Sequence, residues 1–598
     1  MKRCPECRRD YVDDTLLYCL EDGEALVQGS VASSDEPHGA IPSNADALTQ
    51  QQILTTDRTV ILPRGTEAEP RRSFDSRSER QSLSAHRAAQ PQEGSTASAH
   101  RFAKPLIAVA VAAVVLIGGF FGYRYFGTSS SKQIESIAVM PFVNESGSSD
   151  IDYLSDGMTD TLINNLSRIP NLSVKARSSV FKYKGKDIEP QKVAADLNVQ
   201  AVVNGRVMQR GNDLTLNLEM VDAATGDQIW GEQYIRKVDD LVSLQSDIAR
   251  DVSNKLREKL SGPVTERISK HATENPQAYR EYLKGRFYWN KRTIDDINKS
   301  IEYFQKAIEI DPAYARAYAG LADSYVVIPS YSNNRSKEAF PKARAAAMKA
   351  LEIDNSLAEA HATLADVLLE FDWKFEESER EFKRAIELDP NYATAHHWYA
   401  EFLLGMGRRD EALAEIKRAQ ECDPLSLIIN SMIGIVHALR GDYAEAETQL
   451  KKTIEMDPNF ARAHMFLAEL YEEQGRFEEA IDEYEKYEKL LGPPSPETVK
   501  GLGFVRDAYR ARGASGYWKA MLDFAKRRAG SDPDSGPPQV LLARLSVLGG
   551  DKEGAFQYFE KAFEQRDPDL LRLADPAFDP IRTDPRFAEL VRRIGLPL

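Results

Sequence analysis

Three of the four cysteines, Cys4, Cys7 and Cys19, lie within the first nineteen residues, and the fourth, Cys422, stands alone. Cys4 and Cys7 form a CxxC with Pro5 between them. Asp22 occupies the place where a second CxxC would put its last cysteine. Zinc favours four tetrahedral ligands, mostly thiolate, and one tight turn presents both thiolates of a CxxC. Asp22 can supply an oxygen, and Gly23 allows a sharp turn after it. The spacing predicts one structural zinc ion on Cys4, Cys7, Cys19 and Asp22. The alternative is a cysteine-bearing hairpin that binds metal weakly or not at all. A redox CxxC would call for a surrounding βαβ pattern, and none is present.

Residues 1–27 are similar to the short zinc-ribbon knuckles found at the front of many bacterial membrane proteins. Four cysteines in 598 residues do not suit a disulfide scaffold; a thiolate site suits a reducing compartment. From 28 to 104 the chain is rich in Ser, Ala, Gln, Pro, Gly and Arg and lacks apolar periodicity. Such a stretch buries too little apolar surface to offset its ordering entropy, so a disordered basic tether is expected. A membrane helix is expected over 105–126. Its centre, Leu106 to Tyr123, contains no charge, and as a helix it spans roughly 27 Å, close to the hydrocarbon core of a bilayer. Phe120, Phe121, Tyr123, Tyr125 and Phe126 suit an interfacial belt at its far end. Arg and Lys accumulate before it, so the N-terminus is expected in the cytoplasm and the long C-terminal part outside, in the bacterial inner membrane. Gly118 and Gly122 form a small-xxx-small pair that would permit a homodimer; a passive anchor is the simpler reading.

Beyond the anchor the pattern is α+β over 134–262. Ser136 to Asn144 reads as one buried strand, Tyr153 to Ile169 as a helix, and Leu172 to Ala176 as a second strand. Gln191 to Leu197 reads as a short helix. Three sequential strands follow at Val199 to Val207, Leu214 to Val221 and Gln228 to Ile235, then a long amphipathic helix from Val238 to Leu260. A sheet with helices on one face results. The segments SIAVMPFVNESGSSDIDYLSDGMTDTLINNLSRI, VKARSSVFKYKGK, VVNGRV and VDAATGDQIWGEQY resemble the TolB amino-terminal-like domain. That resemblance implies an extracytoplasmic binding module without an active site. Asp150, Asp152 and Asp156 read as acids at a helix start, and Asp160 as a solvated side chain.

From residue 275 the chain repeats. EIDP ends at Pro312, EIDN at Asn355, ELDP at Pro390, ECDP at Pro424 and EMDP at Pro458. The last two intervals are 34 residues, the one before 35, and the first 43, with an insertion around Pro329 to Ser336. A 34-residue period ending in proline resembles the tetratricopeptide repeat, expected over 275–492 with degenerate repeats over 493–567 and a cap over 568–598. The cap reads as a loop with three prolines followed by one amphipathic helix. The small residues Ala400, Ala412, Ala419, Gly434, Ala446, Ala468 and Ala480 fall where the two helices of a repeat must pack closely. A solenoid of this kind has a concave face that holds an extended peptide or another protein. His397, Glu401, Met465 and Glu469 are expected to point there. Cys422 reads as structural.

The expected fold class is therefore multidomain: a zinc knuckle, one transmembrane helix, an α+β domain and an all-α solenoid. No P-loop, HExxH, GxSxG or kinase signature occurs, so no catalytic residues are expected. The net charge of −15 argues against a nucleic-acid surface. A non-enzymatic, membrane-anchored interaction scaffold follows. Its rival is a transmembrane transcriptional regulator whose knuckle contacts nucleic acid.

Overall fold

The computed structural model describes residues 134–148, 151–169, 171–186, 188–257, 273–331, 336–528 and 537–597. It also gives the backbone of three two-residue strands near the start. Those strands, β1 (Lys2–Arg3), β2 (Asp10–Tyr11) and β3 (Val27–Gln28), form an antiparallel sheet in the order β2-β1-β3. Cys4, Cys7, Cys19 and Asp22, the tether and the membrane segment 105–126 lie outside the described residues. Among the described residues no helix is long and apolar enough to cross a membrane.

The α+β domain is built on a mixed sheet. Strands β4 (Ser136–Val139), β5 (Val143–Asn144), β6 (Ser173–Val174), β7 (Ala201–Arg210), β8 (Asp213–Asp222) and β9 (Gln228–Lys237) take the order β6-β4-β7-β8-β9, with β5 beside β7. β4 runs parallel to β6 and β7, while β7, β8 and β9 form an antiparallel meander. In β8, Leu214, Leu216, Leu218 and Met220 are buried and the residues between them only partly so, the alternation of a half-covered sheet. The helices Asp152–Ser167 and Leu241–Arg257 share that core through Leu154, Leu162, Leu244 and Val252.

Three expectations need correction here. The run Ser136 to Asn144 is two strands, not one. Pro141 has no amide proton to continue the ladder, and the chain resumes beside β7 only at Val143. Asp160 is not a solvated side chain: it is 4% exposed and accepts from Arg286 Nε at 3.1 Å. Asp156 is buried as well and takes both oxygens to Lys184 Nζ, at 2.6 and 2.7 Å, so it serves packing rather than the helix start.

Among the described residues, six helix pairs follow. They are Pro276–Trp289 with Ile294–Ile310, Ala315–Val326 with Ser336–Ile353, Ala358–Glu370 with Phe375–Leu388, Ala393–Gly405 with Arg409–Cys422, Leu427–Arg440 with Tyr443–Met456, and Ala461–Glu473 with Phe477–Leu491. We call them pairs one to six, with helices A and B in each. The small residues do what the period demands. Ala400, Ala412, Ala446, Ala468 and Ala480 are fully buried, and a Cβ on Gly434 would stand 2.7 Å from Leu450 Cγ. Gly285 and Gly320 approach the buried ring of Phe304 from two helices, each leaving only 2.6 Å for a Cβ.

The helix Pro496–Arg528 is broken at Gly513, whose φ of 62° only glycine adopts cheaply. Gln539–Leu548 and Lys552–Gln565 form another pair. The cap differs from the expected loop. It consists of two 3₁₀ turns, Pro568–Arg572 and Pro576–Ile581, and the helix Pro585–Ile594. The reason is an Asp-Pro step at the start of each. Asp567, Asp575 and Asp584 each cap a helical start with a side-chain oxygen, and the following proline has no amide to leave unpaired.

The α+β domain is fastened to the solenoid through the turns that mark the repeat. Ser167 Oγ donates to Asp389 Oδ2 at 2.6 Å, and Asn391 Nδ2 donates to the carbonyls of Ser167 and Leu172, both at 2.8 Å. Ser178 and Ser179 donate to Asp423, and the amide of Ala176 donates to the carbonyl of Cys422 at 3.0 Å. Arg168 pairs with Glu359 at 3.4 Å. Two aspartates of the repeat signature thus hold the preceding domain in place.

Candidate functional site

The helices A of pairs two to six present one equivalent position at the repeat interval: Asp323, Asp366, Glu401, Ile435 and Glu469. Four of the five are acids. Their surroundings differ along the row. Asp323 is satisfied by Thr363 Oγ1 at 2.6 Å and by Arg286 Nη1 at 3.5 Å. Burial still pushes its carboxyl up to about 6. Glu469 faces Arg572 at 3.8 Å. Asp366 is 7% exposed, and its burial together with the charge of Glu401 raises its carboxyl far above the usual range. Glu370, one turn further along the same helix, is raised for the same reasons, with Asp366, Glu401 and Asp569 all pushing in one direction.

The C-terminal segment folds back across this row. Trp373 and Phe563 meet with ring centroids 5.1 Å apart, the guanidinium of Arg566 lies 3.9 Å from the Trp373 ring, and Arg409 reaches the carbonyl of Ala574 at 3.5 Å. The segment therefore docks on pairs three and four. Between it and pairs two, three and six lies a groove enclosing about 680 Å³. Met465, Phe466, Tyr484 and Phe524 form its apolar wall; Glu370, Glu469, Asp569, Arg544 and Arg572 supply charge. Arg544 Nη1 meets Glu472 Oε2 at 3.3 Å, and Glu472 also accepts from Tyr517 Oη at 2.7 Å. The groove can hold an extended chain against apolar wall and charge.

Of the residues expected on the concave face, Met465 and Glu469 line this groove. The charge of Glu401 acts on Asp366. His397 is 8% exposed, with Nε2 3.5 Å from Glu401 Oε1 and without a hydrogen bond. Asp366, Glu370 and Asp569 were missed. Asp366 was within reach of the sequence, since it stands one repeat before Glu401; Asp569 was not, because only the folded-back segment brings it there.

A second periodic set is structural. His361, His396 and His464 each bridge Glu381, Glu415 or Glu483 on helix B to the carbonyl of Asn355, Pro390 or Pro458 in the preceding turn. In pair five Asn430 and Gln449 take the same places, Asn430 donating to the Pro424 carbonyl at 2.9 Å and accepting from Gln449 at 3.0 Å. His396 is thus fully engaged. Among the described residues no group of three or more His, Cys, Asp or Glu is placed to hold a metal ion. Cys422 is buried, which pushes its thiol up to about 11 and leaves it unreactive.

Three family models described as tetratricopeptide repeat match residues 282–314, 374–428 and 432–496. The helix pairs in these segments are tetratricopeptide repeats. A model described as the second domain of a HilA/YgeH-like transcriptional regulator matches residues 132–250. Among curated proteins, "Putative adenylate cyclase 3" of Rhizobium meliloti (strain 1021) is 35% identical over 187 residues, 31% of this chain and 32% of that protein. Tetratricopeptide repeat protein 6 of Homo sapiens is 24% identical over 194 residues, 32% of this chain and 36% of that protein. The chain thus spans about a third of the length of these relatives. A solved structure, YrrB, described as a TPR protein with an unusual peptide-binding site, is 23% identical and covers 31% of this chain and 91% of its own, with a TM-score of 0.24. The tetratricopeptide repeats of this chain make it a protein–protein interaction scaffold in its C-terminal part.

Proposed function

We propose that the chain is a non-enzymatic, membrane-anchored adaptor of the bacterial envelope. The helix over 105–126 holds it in the inner membrane, with the zinc knuckle of Cys4, Cys7, Cys19 and Asp22 on the cytoplasmic side. The TolB-like domain and the tetratricopeptide repeats lie outside and bind partner proteins. One observation carries this reading: the α+β domain is hydrogen-bonded to the repeat turns at Asp389 and Asp423, while the groove on Met465 and Glu469 stays open between repeats and C-terminal segment. A partner then meets one preassembled surface, and tethering raises its local concentration. Proximity labelling from a C-terminal fusion tests it. Proteins labelled around the wild-type chain and lost with Met465→Glu and Glu469→Lys support the reading; an unchanged set overturns it. Reporter fusions at both ends test the topology, and an N-terminus outside the cytoplasm reverses the compartments. Zinc content of the 1–28 peptide tests the knuckle, where near-zero stoichiometry at neutral pH removes it.

The match of residues 132–250 to a domain of HilA/YgeH-like regulators favours a second reading. In it the chain is a transmembrane regulator whose cytoplasmic part contacts nucleic acid. A gel shift with residues 1–104 separates the two, since specific, salt-sensitive binding belongs to the regulator alone.

A further inference from the structure

The C-terminal segment lies on the repeats without sharing their core. Its buried apolar side chains, between Val540 and Leu596, pack on one another, and those between Ala365 and Val436 in pairs three to five do the same. Half-buried residues make the contact: Trp373, Phe375 and Met406 on the repeats, Phe563 and Leu571 on the segment. Leu571 crosses pair four at Gly405, where a Cβ on the glycine would stand 3.7 Å from the Leu571 Cβ. Arg572, its side chain half exposed, reaches Glu469 in pair six at 3.8 Å. Gly405 and Glu469 both belong to helices A, so the segment occupies part of the face expected to hold a partner. Trp373 and Arg566, which meet at the contact, both carry left-handed backbones, and strain of that kind gathers at clamps and switches. Lifting the segment off uncovers half-buried side chains and relieves two strained residues, but it opens neither core. That is the make-up of a transient interface. The segment stays joined to pair six, where Leu542 and Leu545 share a core with Phe477 and Tyr517.

We propose that residues 566–581 are a built-in occupant of the concave face and that a segment of a partner protein displaces them, setting an aliphatic residue on Gly405 and a cation on Glu469 as Leu571 and Arg572 do. The inference rests on the reading of the repeats as a peptide-binding surface and adds what controls access to it. The groove beside the segment, walled by Met465 and Phe466, is where a partner starts. Glu469 lines that groove while it is paired with Arg572, so a partner advancing along the wall meets the occupant there. Joined to the same chain, the occupant competes at high effective concentration. A partner's apparent affinity is then its intrinsic affinity reduced by the fraction of chains whose face is free.

The experiment uses the full chain in detergent micelles and locks the segment in place. The Cβ positions at Gly405 and Leu571 suit a disulfide, so G405C/L571C holds the segment when oxidised and frees it when reduced. A bridge that does not form, read by mass mapping, overturns the docked arrangement. Random twelve-residue peptides are selected on the reduced form and labelled, and their affinities for both forms are read by fluorescence anisotropy. Oxidation is expected to weaken binding at least about tenfold, and reduction to restore it. G405C alone is expected to bind the peptides equally with and without reductant. The locked form should melt no lower than the reduced one, which separates blocked binding from lost folding. In an otherwise wild-type chain, Trp373→Ala loosens the contact and is expected to bind the same peptides at least about threefold more tightly than the wild type. The binders are expected to share an aliphatic residue followed by lysine or arginine, and changing that cation to glutamate to remove binding. Peptides that bind the locked and reduced chains equally overturn the displacement and leave the peptide-binding reading standing. Binders that tolerate the glutamate overturn the stated partner chemistry. Failure of every peptide on the reduced chain overturns the inference together with the peptide-binding reading.

Discussion

The guanidinium of Arg566 lies 3.9 Å from the ring of Trp373, and both residues have left-handed backbones, with φ of 56° and 57°. Neither is a glycine, so each conformation costs energy that the contact offsets. Trp373 sits in the turn between the helices of the third repeat, and Arg566 caps Lys552–Gln565. Their stacking holds the C-terminal segment against pair three. Trp373→Ala is expected to cost about 2 kcal/mol. Hydrogen exchange should then quicken across 537–597 while residues 276–326 keep their protection.

The pair Asp160–Arg286 joins the α+β domain to the first repeat, with side chains 6% and 15% exposed. Asp160→Asn leaves a buried guanidinium short of a partner and should cost about 3 kcal/mol. Chemical denaturation checks this, read by probes in each part. The wild type is expected to unfold both together, and the variant to lose the α+β domain first.

Glu473 gives the molecule a pH dependence of definite sign. Its side chain reaches solvent, but partial desolvation by its neighbours, then the charge of Asp575, raises its carboxyl from 4.5 to about 7. A raised carboxyl binds more protons folded than unfolded, so stability falls as pH rises from about 4.5 to about 7. Glu473→Gln should therefore be more stable than the wild type at pH 8 and equal to it at pH 4. Thermal melts at the two values check the crossover.

The histidine ladder is a packing device, and pair five shows its substitute. His396→Asn alone should cost about 1 kcal/mol, because Glu415 keeps its charge and loses its ring partner. Adding Glu415→Gln rebuilds the Asn430–Gln449 arrangement and should recover about 1 kcal/mol in a double-mutant cycle. Denaturant midpoints of the four proteins measure it.

The repeats were legible because their cause is local. A helix pair needs small residues at fixed offsets and a turn after each E-x-D-P or EIDN, and both recur every 34 or 35 residues in the sequence, apart from one interval of 43. The three-stranded meander was legible for the same reason, since alternation and turn chemistry act between neighbours. Strand ends were misplaced where one residue type decided them, as Pro141 does between β4 and β5.

Asp160 marks where that reading stopped. By sequence it is an acid on a helix; its burial depends on Arg286, 126 residues away. Asp389 and Asp423 likewise look like turn residues, yet they hold Ser167 and Ser179 from a different domain. The sequence by itself determined the elements, the repeat period and the row of acids on successive helices A, because spacing along a helix follows from its pitch. Only the tertiary structure decided which of those acids are paired. That depends on the curvature of the solenoid and on the return of the C-terminal segment, which brings Arg572 to Glu469 and Asp569 to Glu370.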